Sequence, residues 1–356
     1  MTENYSLWDK LKNTDKPIII YGTGNGADKI FDVLDKYGIH VSAVFASDGF
    51  VRERIFRGYP VRSYNEIIDE YGNGIIVLLA FGTTLPDVTK LIQELDRKHE
   101  LIIPDVPLYS GDLFDYGYFI AHKQSLEKAC YELFDELSKK IFSDAVNFRL
   151  TGKLCYLIET ERTEDTLKDL FKKSTINSVL DGGAFKGDST SVFAEVFSPD
   201  IIYSVEADSR TYKKLCDYAE KEKKAKVYPV NAALSDKNGT VEYVSSSSRG
   251  SGENGKNKRG KTVVTDCRTI DNILAGKEVD LIKLDVEGDE RAALDGARET
   301  IKKYEPSLSV SLYHRTDDLF ELIQYVHQIL PSHKLYLRRV PCIPLWDLVL
   351  YAIKQK

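Results

Sequence analysis

The sequence predicts an α/β protein in which two sheet-bearing domains are joined by a helical connector. Three observations lead there. Residues 17–108 alternate short apolar runs with helix-spaced segments, residues 111–175 carry helix spacing with no strand pattern, and residues 176–356 resume the alternation. Apolar runs separated by amphipathic helices are what a parallel sheet covered on both faces requires. At roughly 150 residues per domain, a chain of 356 residues has room for about two domains.

Composition narrows the function classes. Hydrophobic residues make up 42% and charged residues 29%, a folded rather than a disordered mixture. Forty-nine basic against 55 acidic residues leave a net charge of −6, which argues against general binding to nucleic acid or an anionic membrane. The five cysteines, Cys130, Cys155, Cys216, Cys267 and Cys342, form no CxxC and are odd in number. That speaks against a disulfide framework or a zinc site and suits a reducing cytosol. The first residues, MTENYSLWDKLK, contain no apolar signal region, and the strongest apolar run, 75–81, is far short of a membrane span. A cytoplasmic protein without a membrane span is expected.

In the first domain, residues 1–110, the run 17–21 is a buried strand. Residues 27–37 follow as a helix with Ile30, Leu34 and Tyr37 on one face, stopped by Gly38. Strands at 40–46, 59–61 (an edge strand) and 74–81, a helix at 88–95 and a last strand at 101–103 complete the unit. In the connector, 111–175, Leu126, Cys130, Leu133, Leu137 and Ile141 predict one long helix packing on the second domain. The second domain, 176–356, has strands at 178–180, 201–205, 227–230, 281–284 and 308–312. Helices at 190–197, 211–221, 290–304 and 318–330 fill most of the gaps. Runs 334–338 and 348–353 follow each other without a helix, so they predict an antiparallel pair on an otherwise parallel sheet. Residues 245–261 lack any large apolar side chain and read as a surface loop, with 240–244 and 261–265 pairing as a hairpin.

The residues that carry chemistry lie at strand ends. In VLDGGAFKGD, 179–188, a strand runs into Asp181 and a turn containing Gly182, Gly183 and Gly187 that opens a helix. Such turns let backbone approach a ligand closely and leave helix N–H groups free. Phosphate sites use those groups for anions, but the acid at Asp181 points to a cationic amine or sulfonium. Glu206 follows 25 residues later at the next strand tip, where a carboxylate accepts ribose hydroxyls. IKLDVEG, 282–288, places Asp285 and Glu287 at a third tip, where ligands of open α/β sheets bind. Glu287 has a plainer alternative as an acid favouring the start of the next helix. SLYHR, 311–315, puts His314 at a fourth tip, and an ordinary pKa of about 6.5 suits proton transfer, although a lone histidine is more often structural. His99, His122 and His333 read as exposed loop residues, and His327 as helical.

These pieces together resemble the FkbM-type S-adenosylmethionine-dependent methyltransferases. The resemblance covers about residues 125–356. It rests on the 179–188 turn, YSVE at 203–206, NAALSD at 231–236, IKLDVEGDE at 282–290 with LDGA at 294–297, Tyr313-His314, and LYAI at 350–353. It implies a class I methyltransferase domain, a seven-stranded sheet with its last strand antiparallel. It also implies S-adenosylmethionine as cofactor. Asp181, Gly182, Gly183, Ala184, Gly187 and Asp188 would lie around its methionine part, Glu206 and Ala207 at the ribose, and Asn231 and Ala232 near the adenine. Asp285 would face its reactive end, with Glu287 beside the acceptor. Related sequences often carry Arg-His where this chain has Arg338-Arg339, which puts a role for that position in acceptor choice in doubt.

Methyl transfer from a sulfonium needs alignment of donor and acceptor, and a hydroxyl acceptor needs a base. His314, Glu287 and Asp285 are the candidates, in that order. A Mg²⁺ ion on Asp285 and Glu287 is an alternative that is not favoured, because two acids do not complete a site, and no metal ligands are assigned. The 245–261 loop carries Arg249, Lys256, Lys258, Arg259 and Lys261 against Glu253. It reads either as a lid over an anionic acceptor such as a nucleotide sugar or as a solvated loop.

In the first domain Gly22, Gly24, Gly26 and Ala27 follow a strand and open a helix, the looser GxGxxA form of a dinucleotide turn. Asp48, 26 residues after Gly22, stands near the place of a ribose-binding acid. This domain resembles the small Rossmann-like modules attached to some sugar-modifying enzymes, which implies a nucleotide or sugar-nucleotide ligand; a scaffold or dimerising role is the alternative. The sequence thus leads to an O-methyltransferase acting on a hydroxyl of a sugar, glycan or related small molecule, without nucleic-acid partners and with homo-oligomerisation open. The rivals are an N- or C-methyltransferase of the same fold and a non-catalytic nucleotide-sugar-binding assembly module. Lack of a matching base argues against NAD-dependent oxidation.

Overall fold

The computed structural model describes residues 5–47, 49, 51, 55–107, 111–245 and 261–354. Asp48 and most of the 245–261 loop, and with them the ribose-acid and lid readings, lie outside the described residues.

The first sheet contains β1 (Ile18–Tyr21), β2 (Ala43–Phe45), β3 (Ile55–Phe56), β4 (Tyr59–Arg62), β5 (Ile76–Leu79) and β6 (Glu100–Ile102), in the order β3-β4-β2-β1-β5-β6. β1, β2 and β5 are buried at every position, as central parallel strands must be. The predicted edge strand, β4, is not the edge. It pairs parallel with β2 and antiparallel with β3, which takes the outer place. The helix Asn25–Tyr37 ends on Gly38 at φ 67, a left-handed position. Helices Leu7–Lys12 and Tyr64–Tyr71 were not expected; each starts with a capping box, Ser6 with Asp9 and Ser63 with Glu66. This parallel core with a glycine turn after β1 is Rossmann-like.

The single long connector helix is two helices, Tyr116–Glu132 and Glu136–Thr151. Asp135 breaks them by capping the second: its side chain accepts from the Ser138 N–H. Leu126, Leu133 and Ile141 are buried, but Leu137 is exposed and Cys130 half-buried, because the stripe changes helix midway. The first helix packs on Asp318–Ile329 and the second on the strand 334–339.

The second domain contributes β7 (Ser178–Gly182), β8 (Ile201–Glu206), β9 (Lys226–Asn231), β10 (Ala233–Leu234), β11 (Gly239–Ser245), β12 (Lys261–Arg268), β13 (Leu281–Leu284), β14 (Ser307–Ser311), β15 (Lys334–Arg339) and β16 (Leu348–Ile353). Seven of these form one sheet, β15-β16-β14-β13-β7-β8-β9, in which β16 runs antiparallel to both β14 and β15. The expected hairpin forms between β11 and β12, with β10 beside them in a separate three-stranded sheet. The predicted helix 290–304 divides into Glu290–Asp295 and Arg298–Tyr304. Between them a Cβ on Gly296 would stand 2.1 Å from the Ser235 carbonyl, so the backbones touch only because this residue is glycine.

Three histidines depart from expectation. His99 and His333 are buried, His99 between the Tyr64 hydroxyl at 2.7 Å and the Asn73 carbonyl at 3.1 Å. His122 lies within the first connector helix, its ring stacked on Tyr118. Their partners come from distant or helical neighbours that local sequence does not show.

The loops that follow β5 and β15 join the two domains. Thr83 and Ile343 exchange backbone hydrogen bonds of 2.7 and 3.0 Å, and the Trp346 ring fills the space a side chain at Gly82 would need. No helix among the described residues is long and apolar enough to cross a membrane.

Candidate active site

Strands β14, β13, β7 and β8 are neighbours, so the residues at and after their carboxyl ends meet along one edge. The glycine turn comes first. Gly183 has φ 75, and a Cβ there would lie 1.9 Å from the Asp285 carbonyl, so the turn from β7 closes against β13 only with glycine. The N–H groups of Gly183 and Ala184 both bond the Val205 carbonyl at 3.0 Å. Gly187, at φ 96, passes against the Tyr218 ring and opens the helix Asp188–Phe197, with Asp188 exposed at its start.

Asp181 is not open to a ligand. It is fully buried, and its carboxylate accepts from Ser189 Oγ at 2.8 and 2.9 Å and Thr190 Oγ1 at 2.6 Å. Lys283 Nζ pairs with it at 3.1 Å. The expected direct contact with a cationic ligand is therefore replaced by an internal cation. Sequence reasoning missed Lys283, although a lysine inside the apolar run of β13 was itself a signal: buried, it needs an acid.

Glu206 keeps its place at the tip of β8. Its oxygens accept from the N–H groups of Phe185 at 3.0 Å and Asp208 at 2.8 Å. Burial nonetheless pushes its pKa up to about 7. Asn231 clamps the segment, its Nδ2 donating to the carbonyls of Glu206 at 2.8 Å and half-buried Ala207 at 3.2 Å. Ala232 points into the core.

The other half of the site is a charge cluster. His314 is buried, with Nδ1 2.8 Å from Glu290 Oε1 and Nε2 3.5 Å from both Asp285 Oδ1 and Glu287 Oε2. Burial by itself would lower its pKa, but Glu290, Asp285 and Glu287 raise it to about 10. His314 is thus a cation at neutral pH, and the geometry counts against its expected use as the base. Burial likewise works against the Asp285 charge. Lys283, His314 and the hydroxyls of Tyr313 and Ser311 outweigh it and hold Asp285 below its ordinary value. Tyr313 donates to Asp285 Oδ1 at 2.8 Å.

Glu287 has φ 61 and Gly288 φ 100. A left-handed non-glycine residue costs of order 1–3 kcal/mol and persists only where its surroundings hold it. Here Glu290 Oε1 takes the Val286 N–H at 2.8 Å, and Arg315 Nε donates to the Gly288 carbonyl at 2.6 Å. Asp289, not Glu287, stands at the helix start, so the plainer alternative for Glu287 does not apply. Glu290, which sequence reasoning left out of the site, is fully buried and central to it. Possible ligand atoms of Asp285, Glu290 and His314 lie within 4.8 Å of one another. One of the three donors is an imidazole nitrogen, outside the all-oxygen set that Mg²⁺ prefers.

The loop after β14 is braced from the connector. Thr316 Oγ1 donates to the Asp112 carbonyl at 2.6 Å, and buried Arg149 donates to the Thr316 carbonyl at 2.7 Å while standing 3.5 Å from Asp105. Arg338 pairs with Asp135 at 2.7 Å, and buried Arg339 bonds the Leu157 carbonyl at 2.8 Å. Both arginines tie β15 to the connector.

In the first domain Gly22 has φ 120 and donates to the Phe45 carbonyl at 2.9 Å. A Cβ on Gly26 would stand 2.6 Å from the Ala80 carbonyl, while Gly24 is exposed with open space around it. The three glycines form one tight turn between β1 and its helix.

The seven-stranded order, the antiparallel last strand and the acid-bearing tips define a class I methyltransferase fold. Within it, residues 181–336 match the model of the methyltransferase FkbM domain. The crystal structure of methyltransferase FkbM from Methylobacillus flagellatus KT superposes with a TM-score of 0.68 at 21% identity, over 98% of this chain and 91% of that one. Precorrin-6y C5,15-methyltransferase from Geobacter metallireducens GS-15 gives a TM-score of 0.36 at 10% identity, over 56% and 91%. Aeropyrum pernix fibrillarin, solved with natively bound S-adenosyl-L-methionine, gives 0.32 at 13% identity, over 50% and 66%. No curated protein matches the chain.

Proposed function

We propose that the protein is an S-adenosylmethionine-dependent O-methyltransferase acting on a hydroxyl of a sugar, glycan or related small molecule. The observation that carries this reading is the pair of unlike halves on one sheet edge. Glu206 sits at one tip beside a glycine turn, and ionised Asp285 and the Glu287 carboxyl group sit around a cationic His314 at the other. The residues fit the cofactor. Each Glu206 oxygen takes one backbone N–H and has lone-pair capacity left for a ribose hydroxyl. Exposed Asp188 and half-exposed Asp285 leave carboxylates near a sulfonium.

When bound, the cofactor supplies an electrophilic methyl group whose bond to sulfur breaks as the bond to the acceptor oxygen forms, the electron pair remaining on sulfur. Glu287 takes the acceptor's proton; it is a partly exposed carboxylate of the cluster, carried on a strained left-handed turn. His314 stands 3.5 Å from both Asp285 and Glu287 and stays protonated. Asp285 is oriented by the Tyr313 hydroxyl. Incubation with labelled cofactor and a panel of sugars, nucleotide sugars and simple hydroxyl compounds tests the reading. Methyl ether products by mass and NMR support it; N- or C-methyl products would replace it.

A further inference from the structure

Lys283 is third in the four-residue strand β13, between Ile282 and Leu284, which are fully buried. Its Nζ reaches across to β7. It stands 3.1 Å from Asp181 Oδ1, 3.0 Å from the Gly182 carbonyl and 2.9 Å from the Gly183 carbonyl, with Ser189 Oγ at 3.4 Å. The three ammonium hydrogens thus meet one carboxylate and both carbonyls of the glycine turn. Burial disfavours this charge, but Asp181, Asp285 and Glu206 outweigh it and keep Lys283 above its ordinary pKa. Asp181 has no exposed surface, and its oxygens are taken by Lys283, Ser189 and Thr190. The strand tip that sequence reading makes acidic is electrically a closed pair.

We infer that Lys283 is a positioning residue that, held between the Gly182 and Gly183 carbonyls, fixes the Gly183 carbonyl where the amino-acid end of the cofactor is received, and that Asp181 acts on the cofactor only through Lys283. This rests on the cofactor reading given under Proposed function. The Gly182 carbonyl also accepts the Asp285 N–H at 3.1 Å and is filled, whereas the Gly183 oxygen keeps a second lone pair. A turn held in one conformation offers that Gly183 oxygen to a ligand ammonium without first paying to order itself. No ligand group then has to reach Asp181.

The test is calorimetric binding of two probes to the full chain: S-adenosylhomocysteine, and 5′-methylthioadenosine, which lacks the amino-acid end. Asp181→Asn/Lys283→Met removes both charges together, so neither is left buried alone. Its thermal transition reports whether it folds. The wild type is expected to prefer S-adenosylhomocysteine. The double variant is expected to lose about tenfold or more of that preference while binding methylthioadenosine unchanged. A structural role alone would lower the transition and leave the preference intact. Lys283→Arg keeps the charge against Asp181 but spreads its donors over a planar fork, so it should lose the same preference in a protein with its ion pair. Wild-type preference retained in either folded variant, or equal wild-type affinity for the two probes, would overturn the inference and leave the cofactor reading standing. A wild type that binds neither probe would overturn both.

Discussion

Glu290 Oε1 stands 2.8 Å from His314 Nδ1 and also accepts the Val286 N–H at 2.8 Å. One buried carboxylate therefore holds both the imidazolium and the loop that carries Glu287. Its removal should act on charge and backbone together. Glu290→Gln is expected to cost about 1–3 kcal/mol of stability, less than a wholly orphaned buried charge, because His314 keeps Asp285 and Glu287 at 3.5 Å. It should also bring the His314 pKa down, which ring proton chemical shifts against pH would follow.

The same pair sets a pH dependence. His314 titrates near 6.5 when unfolded and about 10 when folded, so its contribution to stability is complete below about 6.5 and lost as pH rises through about 10. Urea unfolding at a series of pH values from neutral to 10 should show this loss, and Glu290→Gln should flatten it.

Glu206 gives the opposite trend in binding. Burial holds it near 7 in the free protein, and only its ionised form accepts both ribose hydroxyls. Affinity for S-adenosylmethionine should therefore rise between pH 6 and pH 8 and then level, with proton release on binding near neutrality. Glu206→Gln should bind about tenfold more weakly and without that slope. Calorimetry in buffers of different ionisation enthalpy measures both.

Glu287 carries the proton transfer in this account. Glu287→Gln should lower kcat by about 10²–10⁴-fold with donor affinity unchanged. Loss of donor binding instead would place Glu287 on the wrong side of the site.

Thr316 tests the brace between connector and active-site loop. Thr316→Val removes the 2.6 Å bond to the Asp112 carbonyl two residues from His314. It should cost about 1 kcal/mol in stability and reduce kcat while leaving donor affinity alone. Steady-state kinetics beside donor titration separate the two effects.

Much of the fold was legible because apolar runs such as Leu281–Leu284 and Leu348–Ile353 are strands by burial alone, and both appear with the expected bounds. The connector was less so. Asp135 and Ser138 carried a cap signal, but the apolar stripe through Leu126, Leu133 and Ile141 hid the break. Pro60 suggested an edge strand, because proline removes a ladder donor, yet β3 lies outside it. In the site, the strand-tip acids could be named from local pattern. Which carboxylate meets a ligand and which is consumed by Lys283 or His314 depends on side chains brought together from different strands. The burial of His99 and Arg339 is hidden for the same reason.

The most direct measurement is calorimetric titration of the full chain with S-adenosylmethionine, alongside NAD and a UDP-sugar as rival ligands. The account predicts micromolar binding of S-adenosylmethionine to the wild type and its loss in folded Glu206→Ala. A folded wild type that binds NAD or the UDP-sugar, but shows no heat with S-adenosylmethionine, would contradict it.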